Sequence, residues 1–140
     1  APHERQIALG RLAVDSGADL VLGHHSHRIN PIERYKGKYI VYSLGNFVFS
    51  GNSQPSDMDT FIFQQKLIVS DEGVSDGGFR VIPCSISSVT AASGKKSGEN
   101  DFAATPFEAG SAAAQRVIDT MLKNGKSLEF AVESYPTEWQ

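Results

Sequence analysis

The chain has 140 residues, of which 40% are hydrophobic and 21% are charged, and its net charge at pH 7 is −3. This balance is that of a globular protein of one domain, or of part of one, that buries a core. No lysine and arginine run and no apolar stretch near the ~20 residues of a membrane span occurs, so we expect neither a nucleic-acid surface nor a membrane span. The single cysteine, Cys84, excludes an internal disulfide and a cysteine-based metal site, and we expect it to be a small core residue.

The first predicted elements are a helix and a strand. Leu9, Leu12 and Ala13 recur at helical spacing, which predicts an amphipathic helix that residues 15–17 (DSG) bring to an end. The apolar run 18–22 (ADLVL) follows at once and carries apolar side chains on both faces. Such a run is typical of a strand buried within a sheet that helices cover. Helix, glycine stop and strand together predict an αβ step of an α/β sheet.

Three of the four histidines follow this strand directly, in residues 23–27 (GHHSH). Because side chains of an extended segment alternate between faces, we expect His25 and His27 to point the same way. Two neutral imidazoles at the carboxyl end of a strand can hold one metal ion or two neighbouring ions, although the pair alone does not name the metal. Loop histidines without a metal are the alternative, and for His24 the alternatives are a structural hydrogen bond and a role at the site.

A hairpin is predicted next, with strands at 32–35 and 39–43 around a Lys-Gly-Lys turn. Its second strand runs into the sequence LGNF at 44–47. Ser43 and Asn46 either place a hydroxyl and an amide at the site or are turn residues that bond their own backbone. The other polar residues of interest here are expected to be exposed, the strand residue Glu33 and the loop residues Asp57 and Asp59.

The rest of the chain predicts two longer strands, a helix and a tail. The second strand begins near Phe79 and contains Pro83, which predicts an edge strand or a bulge. Residues 91–104 have the composition of a mobile loop, and residues 105–108 (TPFE) fit a capping box that would begin the last helix. That helix has an apolar stripe and ends near residues 124–125, and the tail 126–140 packs either on the body or on a neighbour; the stripe is Ala114, Val117, Ile118, Met121 and Leu122.

Two segments carry a family resemblance. Residues 16–27 resemble the matching segment of the CapA family, the bacterial capsule (poly-γ-glutamate) synthesis proteins related to calcineurin-like metallophosphoesterases. Residues 39–49 (YIVYSLGNFVF), after a Tyr-x-Gly-Lys turn at 35–38, are similar to a second hallmark of that family, in the family's order and at about its spacing. Ser26 departs from the proline that is common there. We therefore expect an α/β (mixed α+β) chain.

The resemblance implies that residues 1–140 are the C-terminal portion of a single calcineurin-like layered α/β sandwich, with β hairpins and a C-terminal helix. The family's preceding half, with Asp- and Asn-containing motifs, is expected to be a missing partner of this chain. A truncated homologue that has lost its chemistry is the alternative.

The resemblance also implies a function. His25 and His27 would each supply a ligand to a centre of two divalent metal ions (Mn, Zn or Fe), beside which His24, Asn46 and Ser43 would be catalytic or would orient ligands. The activity implied is that of a metal-dependent hydrolase or transferase in capsule biosynthesis, acting at the bacterial envelope or outside the cell on an anionic surface polymer or a phosphorylated substrate, together with other capsule-assembly proteins. The alternative is a non-catalytic polymer-binding or assembly module. With two ligands only, we expect these 140 residues alone to bind metal weakly and to be inactive.

Overall fold

The computed structural model describes all residues, 1–140, and is a mixed α/β structure. Its strands form two three-stranded sheets, with the orders β1-β3-β2 and β4-β5-β6. This confirms the expected fold class. None of the helices combines the length and the apolar character required to cross a membrane. The elements in chain order are α1 (Glu4–Asp15), β1 (Leu20–Leu22), β2 (Ile32–Tyr35), β3 (Lys38–Val41), β4 (Asp59–Ser70), β5 (Gly73–Ser85), α2 (Ser88–Ser93), β6 (Thr105–Pro106) and α3 (Ala112–Gly125).

The first sheet contains the predicted hairpin and the strand that precedes the histidines. β2 and β3 pair antiparallel, and Lys36 and Gly37 both have positive φ, as the tight turn of a two-residue hairpin requires. β1 pairs parallel with β3 and lies at the edge of the sheet. The prediction of a fully buried strand is therefore wrong for β1. No strand pairs with its outer edge, and the side chain of Leu22 is half exposed.

Helix α1 packs on this sheet through a different face from the one predicted. Leu9 and Leu12 are 67% and 60% exposed, while Gly10 and Val14 form the buried face. A Cβ atom at residue 10 would lie 2.8 Å from Ile40 Cγ2, so the glycine lets the helix approach β3 closely and thereby sets its rotation. The helix begins with a capping box, in which His3 Nδ1 accepts from the backbone N–H of Arg5.

Glu33 is fully buried, so its predicted exposure is wrong. Arg11 Nη2 donates to Oε1 at 2.6 Å and Arg11 Nε to Oε2 at 3.3 Å, and the hydroxyl of Tyr42 donates to Oε2 at 2.6 Å. Burial by itself raises the pKa of Glu33, but the hydrogen bonds from Arg11 and Tyr42 outweigh it and leave the pKa below its ordinary value. This cluster joins α1 to the first sheet.

The second sheet is built on the long β4–β5 hairpin. β5 lies between β4 and β6, so the prediction that Pro83 marks an edge strand or a bulge is wrong for β5; the irregularity in register falls between Gln65 and Leu67 of β4. Pro83 takes part through its carbonyl, which accepts from the N–H of Phe107 at 3.0 Å and needs no N–H of its own. Cys84 is buried, as expected, and burial raises the pKa of its thiol to about 11.

The C-terminal third differs from the prediction at two points. Part of the predicted mobile loop forms α2, and residues Thr105–Pro106 form β6 instead of capping a helix. The last helix begins later, where the Ser111 hydroxyl accepts from the N–H of Ala114. Ala114, Val117 and Met121 of the predicted stripe are buried, Ile118 and Leu122 are partly buried, and Ala113 is buried beside them. The helix ends at Gly125 as predicted.

The tail packs on the body, which decides between the two alternatives left by the sequence. The N–H of Arg34 donates to Phe130 O at 2.9 Å and the N–H of Val132 to Ile32 O at 3.0 Å, so the tail continues the first sheet beyond β2. The N–H of Val81 donates to Pro136 O at 2.8 Å, which ties the same segment to the second sheet. The tail therefore links the two sheets.

Candidate functional site

The histidine loop follows β1, but its backbone is not extended. His25 and His27 have φ values of 77° and 56°, in the left-handed region, so the alternation of side chains on a strand does not apply to them. The two rings are nevertheless neighbours, with centroids 5.7 Å apart and planes inclined by 47°. Gly23 starts the loop against β3, because a Cβ atom there would lie 2.4 Å from the carbonyl oxygen of Tyr42. The expected pairing of the imidazoles thus arises from two left-handed residues.

Asn46 holds the ring of His27. Its Oδ1 lies 2.8 Å from His27 Nδ1, and its Nδ2 donates to the carbonyl oxygen of Asp57 at 3.5 Å, which orients the amide. Because an amide oxygen only accepts, Nδ1 carries the proton, and the lone pair of the neutral ring lies on Nε2. This is the arrangement in which a carbonyl oxygen orients a metal-binding imidazole. Asn46 is almost fully buried, and its side chain bonds the histidine instead of its own backbone.

The turn that carries Asn46 also brings an aromatic ring to the site. The N–H of Phe49 donates to Asn46 O at 3.1 Å, and Val48 inside this turn has a φ of 52°. A β-branched residue is strained in that region. The ring of Phe49 meets the ring of His27 edge-on, with centroids 4.7 Å apart. His27 is therefore held on one side by an amide and on another by an aromatic ring from the same turn.

Ser43 and His24 lie apart from this pair. Ser43 is fully buried and its hydroxyl accepts from the N–H of Gly45 at 3.1 Å, which is the turn role that the sequence left open. His24 is exposed, and its ring makes no hydrogen bond. It lines a separate, more apolar groove between α1 and the first sheet, together with Leu9 and Leu22.

A polar cleft of about 330 Å³ opens beside His27 and Asn46. Arg28 and Asp57 form part of its wall and are joined by an ion pair of 3.1 Å. Asp57 is largely buried, so the expectation that it is solvated is wrong. Arg28 could have been identified from the sequence, because it directly follows the histidine motif. Asp57 could not, because nothing in the sequence near residue 57 indicates that the chain folds back onto the histidines.

Asp59 is also buried, contrary to expectation. Its two carboxylate oxygens accept from Arg116 Nη2 at 2.7 Å and Nε at 2.8 Å. The side chain of Asp59 is therefore occupied by an ion pair that fastens α3 to the start of β4, and it takes no part in the cleft beside His27.

The residues present do not make a complete metal centre. No group of three His, Cys, Asp or Glu side chains is placed so that it could hold a metal ion. The carboxylate nearest to the cleft, that of Asp57, is already paired with Arg28 at 3.1 Å and Lys96 at 3.9 Å. A stable metal site needs three or four protein ligands. These residues therefore do not by themselves fit a metal centre. His25 and His27 are residues of a type that binds metal ions, but they supply only two ligands.

Comparison with known proteins finds one family match and several similar proteins. Residues 1–51 match the family described as bacterial capsule synthesis protein PGA_cap. The PGA biosynthesis protein CapA of Bacillus subtilis is 41% identical over 95 residues, which are 68% of this chain and 24% of that protein. The capsule biosynthesis protein CapA of Bacillus anthracis is 52% identical over 48 residues, 34% of this chain and 12% of that protein.

A probable polyglutamine synthesis accessory protein of Mycobacterium tuberculosis is 45% identical over 42 residues, 30% of this chain and 11% of that protein. No solved structure matches the chain. The chain thus spans about a quarter or less of the length of these curated relatives. Both motifs that carried the resemblance, residues 16–27 and 39–49, fall inside the matched residues 1–51. The prediction from those motifs is therefore confirmed for residues 1–51, which match the family of bacterial capsule synthesis proteins.

Proposed function

We propose that the protein to which this chain belongs acts in bacterial capsule biosynthesis at the cell envelope. The support is the family match over residues 1–51 and the names of the relatives, two of which are capsule or PGA biosynthesis proteins. Its substrate on this proposal is an anionic surface polymer or a phosphorylated precursor, and it works with other proteins of capsule assembly.

The activity we propose is that of a metal-dependent hydrolase or transferase, to which this chain contributes His25 and His27 as ligands of divalent metal ions. One observation carries the proposal: the Nδ1–H of His27 donates to Asn46 Oδ1, which leaves the lone pair of Nε2 free to bind a metal ion, and the centroid of the second imidazole lies 5.7 Å away. Bound metal ions polarise phosphoryl or carbonyl oxygens and lower the pKa of a bound water. The chain's own residues would position and hold the ligand rings.

The remaining ligands on this proposal come from polypeptide other than these 140 residues. The support is the incomplete donor set, together with the open edge of β1 and the exposed Leu9 and Leu12 beside it. These features fit a sheet that continues into a further segment, as the expected preceding half of the domain would require. Ser43 then has a structural role in the turn, and His24 faces the side on which that segment would lie.

Metal analysis of the complete protein tests the proposal. We expect His25→Gln and His27→Gln each to lower the content of bound Mn or Zn and to abolish metal-dependent hydrolysis of the polymer or of a phosphoester. His3→Asn is the matched control, because asparagine keeps the helix cap that His3 provides, and its metal content should be unchanged. Unchanged metal content in both site variants would contradict the proposal.

The non-catalytic alternative makes a different prediction in the same protein. A binding or assembly module would retain polymer after treatment with a chelator and would show no turnover with any of the metals. The isolated 140-residue chain should bind Mn or Zn only weakly and should have no activity, and a tight complex would show that the donor set is more complete than the structure indicates.

A further inference from the structure

A second polar cleft lies on the other side of Arg28 and Asp57 from His27. Its volume is about 700 Å³, and Arg28 and Asp57 belong to the walls of both clefts. Parts of the chain that are distant in sequence meet there: residues 1–3 with Gln6 of α1, the loop with Ser26 and Asn30, Lys96, and the end of α3. A concave surface on which polar groups from separate elements converge can fix the orientation of a polar ligand.

The charges along this cleft favour an anion. Arg28 and Lys96 are the cationic side chains of its wall, and their side chains are 55% and 52% exposed. Asp57 is the one acidic residue there, and it is largely buried between them, at 3.1 Å and 3.9 Å. Two accessible cations thus share one inaccessible carboxylate. The junction has a net positive charge, and an oxyanion approaching from solvent meets the cations first.

The wall of the cleft is held in place by internal hydrogen bonds. Asn30 is almost fully buried and its Nδ2 donates to Ser26 Oγ at 3.3 Å, while Asn124 Nδ2 donates to the carbonyl oxygen of Ile29 at 3.3 Å. The backbone carbonyl of Lys96 accepts from the N–H of Met58 at 2.8 Å, which fixes the base of that side chain. Little ordering would therefore be needed when a ligand binds.

We propose that this second cleft binds a carboxylate or phosphate group of an extended anionic chain, with Arg28 and Lys96 as its cationic contacts. Because Arg28 also belongs to the wall beside His27, a ligand with repeated anionic groups can reach from one cleft to the other. The anion site stands on the structure alone; its use as a substrate subsite for the histidines rests on the proposed function above.

Titration of the ¹⁵N-labelled chain with anionic oligomers in EDTA tests the anion site. We expect the amide signals of Asn30, Thr120 and Asn124, which line the second cleft only, to shift with an oligomer of γ-linked glutamate or with polyphosphate of equal length. The tighter of the two names the ligand class. Added salt should weaken the binding, because exposed charges are screened.

Variants of Arg28 and Lys96 test whether these two side chains bind the anion. Lys96→Gln and Arg28→Gln should each weaken binding by about three- to fivefold, as expected for exposed charged contacts, while Lys95→Gln serves as the neighbouring control. Lys96→Gln breaks only a loose pair, so it remains informative if Arg28→Gln disturbs Asp57. Equal weakening in Lys95→Gln, or no shift at the cleft amides with either oligomer, would overturn the proposal. His25→Gln should leave this binding intact while it lowers metal content in the complete protein, which separates the two proposals.

Discussion

Removing the guanidinium of Arg11 should destabilise the fold more than any other loss of a charge on α1. In Arg11→Met the buried carboxylate of Glu33 loses two hydrogen bonds, at 2.6 Å and 3.3 Å, and keeps those from Tyr42 and from the N–H of Phe130. The guanidinium also lies 4.9 Å from the ring centroid of Phe130. Methionine preserves much of the apolar stem, so the loss is chiefly electrostatic.

The expected cost is about 2–3 kcal/mol of unfolding free energy. Removing one partner of a fully buried pair costs about 3–5 kcal/mol because the other charge is left uncompensated. The lower value here follows from the side chain of Arg11 being a quarter exposed and from the two remaining hydrogen bonds. Adding Glu33→Gln should recover about 1 kcal/mol, because it removes the unpaired charge.

The cost should also depend on pH, with a sign that the pKa of Glu33 fixes. In the native chain this pKa lies below its ordinary value of 4.5, so Glu33 adds stability above that pH and loses it as the pH falls through the lowered pKa. Without Arg11, burial is opposed only by the hydrogen bonds from Tyr42 and Phe130, so the pKa of Glu33 rises relative to the native chain and the carboxylate becomes neutral at a higher pH. The difference between native chain and variant should therefore shrink towards pH 4.

Urea unfolding of the native chain and of Arg11→Met at pH 7 and pH 4 measures the cost of the substitution at each pH. Arg5→Met on the same helix is the control, because Arg5 is exposed and its side chain has no partner; it should change stability by less than about 0.5 kcal/mol at either pH. A cost of Arg11→Met that equals the control, or that is the same at both pH values, would refute the reasoning about the buried carboxylate.

Three further predictions concern other parts of the structure and use the same unfolding assay. Val48→Gly should stabilise by about 0.5–1 kcal/mol because it relieves a positive φ, whereas Val69→Gly, equally exposed at 76% but in a strand, should destabilise; the same sign for both would contradict the strain. Gly23→Ala should cost about 2 kcal/mol or more because its Cβ meets backbone at 2.4 Å, and a neutral result would mean that the loop start is loose. Arg116→Met should cost about 2–3 kcal/mol by leaving Asp59 buried and unpaired, and a cost near zero would show that this pair does not fasten α3.

Much of the local structure follows from the sequence because local signals decide it. The Lys36-Gly37 turn, the glycine stop after α1 and the apolar stripe of α3 are set by residues within a few positions of each other. The rotation of α1 is different. It depends on Gly10 meeting Ile40 across the interface, and helical periodicity alone favours the larger leucines, which in these residues remain exposed.

In the candidate site, too, some features follow from local sequence and others depend on long-range contacts. The spacing of His25 and His27 predicts that their side chains lie on the same side of an extended backbone. The two rings are neighbours, but the backbone is left-handed at both residues. Left-handed φ values at non-glycine residues have no clear signature in the sequence. The motif singles out Asn46, and in the structure its side chain contacts His27. Asp57 joins the cleft through a loop that closes over long range, which no local pattern indicates.

The position of the proton on the His27 ring is the most decisive test of its proposed role as a metal ligand. Long-range ¹H–¹⁵N spectra of the labelled chain at pH 8 report which ring nitrogen carries the proton. We expect a proton on Nδ1 and an unprotonated Nε2 at His27. We also expect the signals of the ring nitrogens of His25 and His27, but not those of His3, to shift on addition of Zn²⁺. A proton on Nε2 of His27 would contradict this role, and so would unchanged ring-nitrogen signals of both His25 and His27 on addition of Zn²⁺.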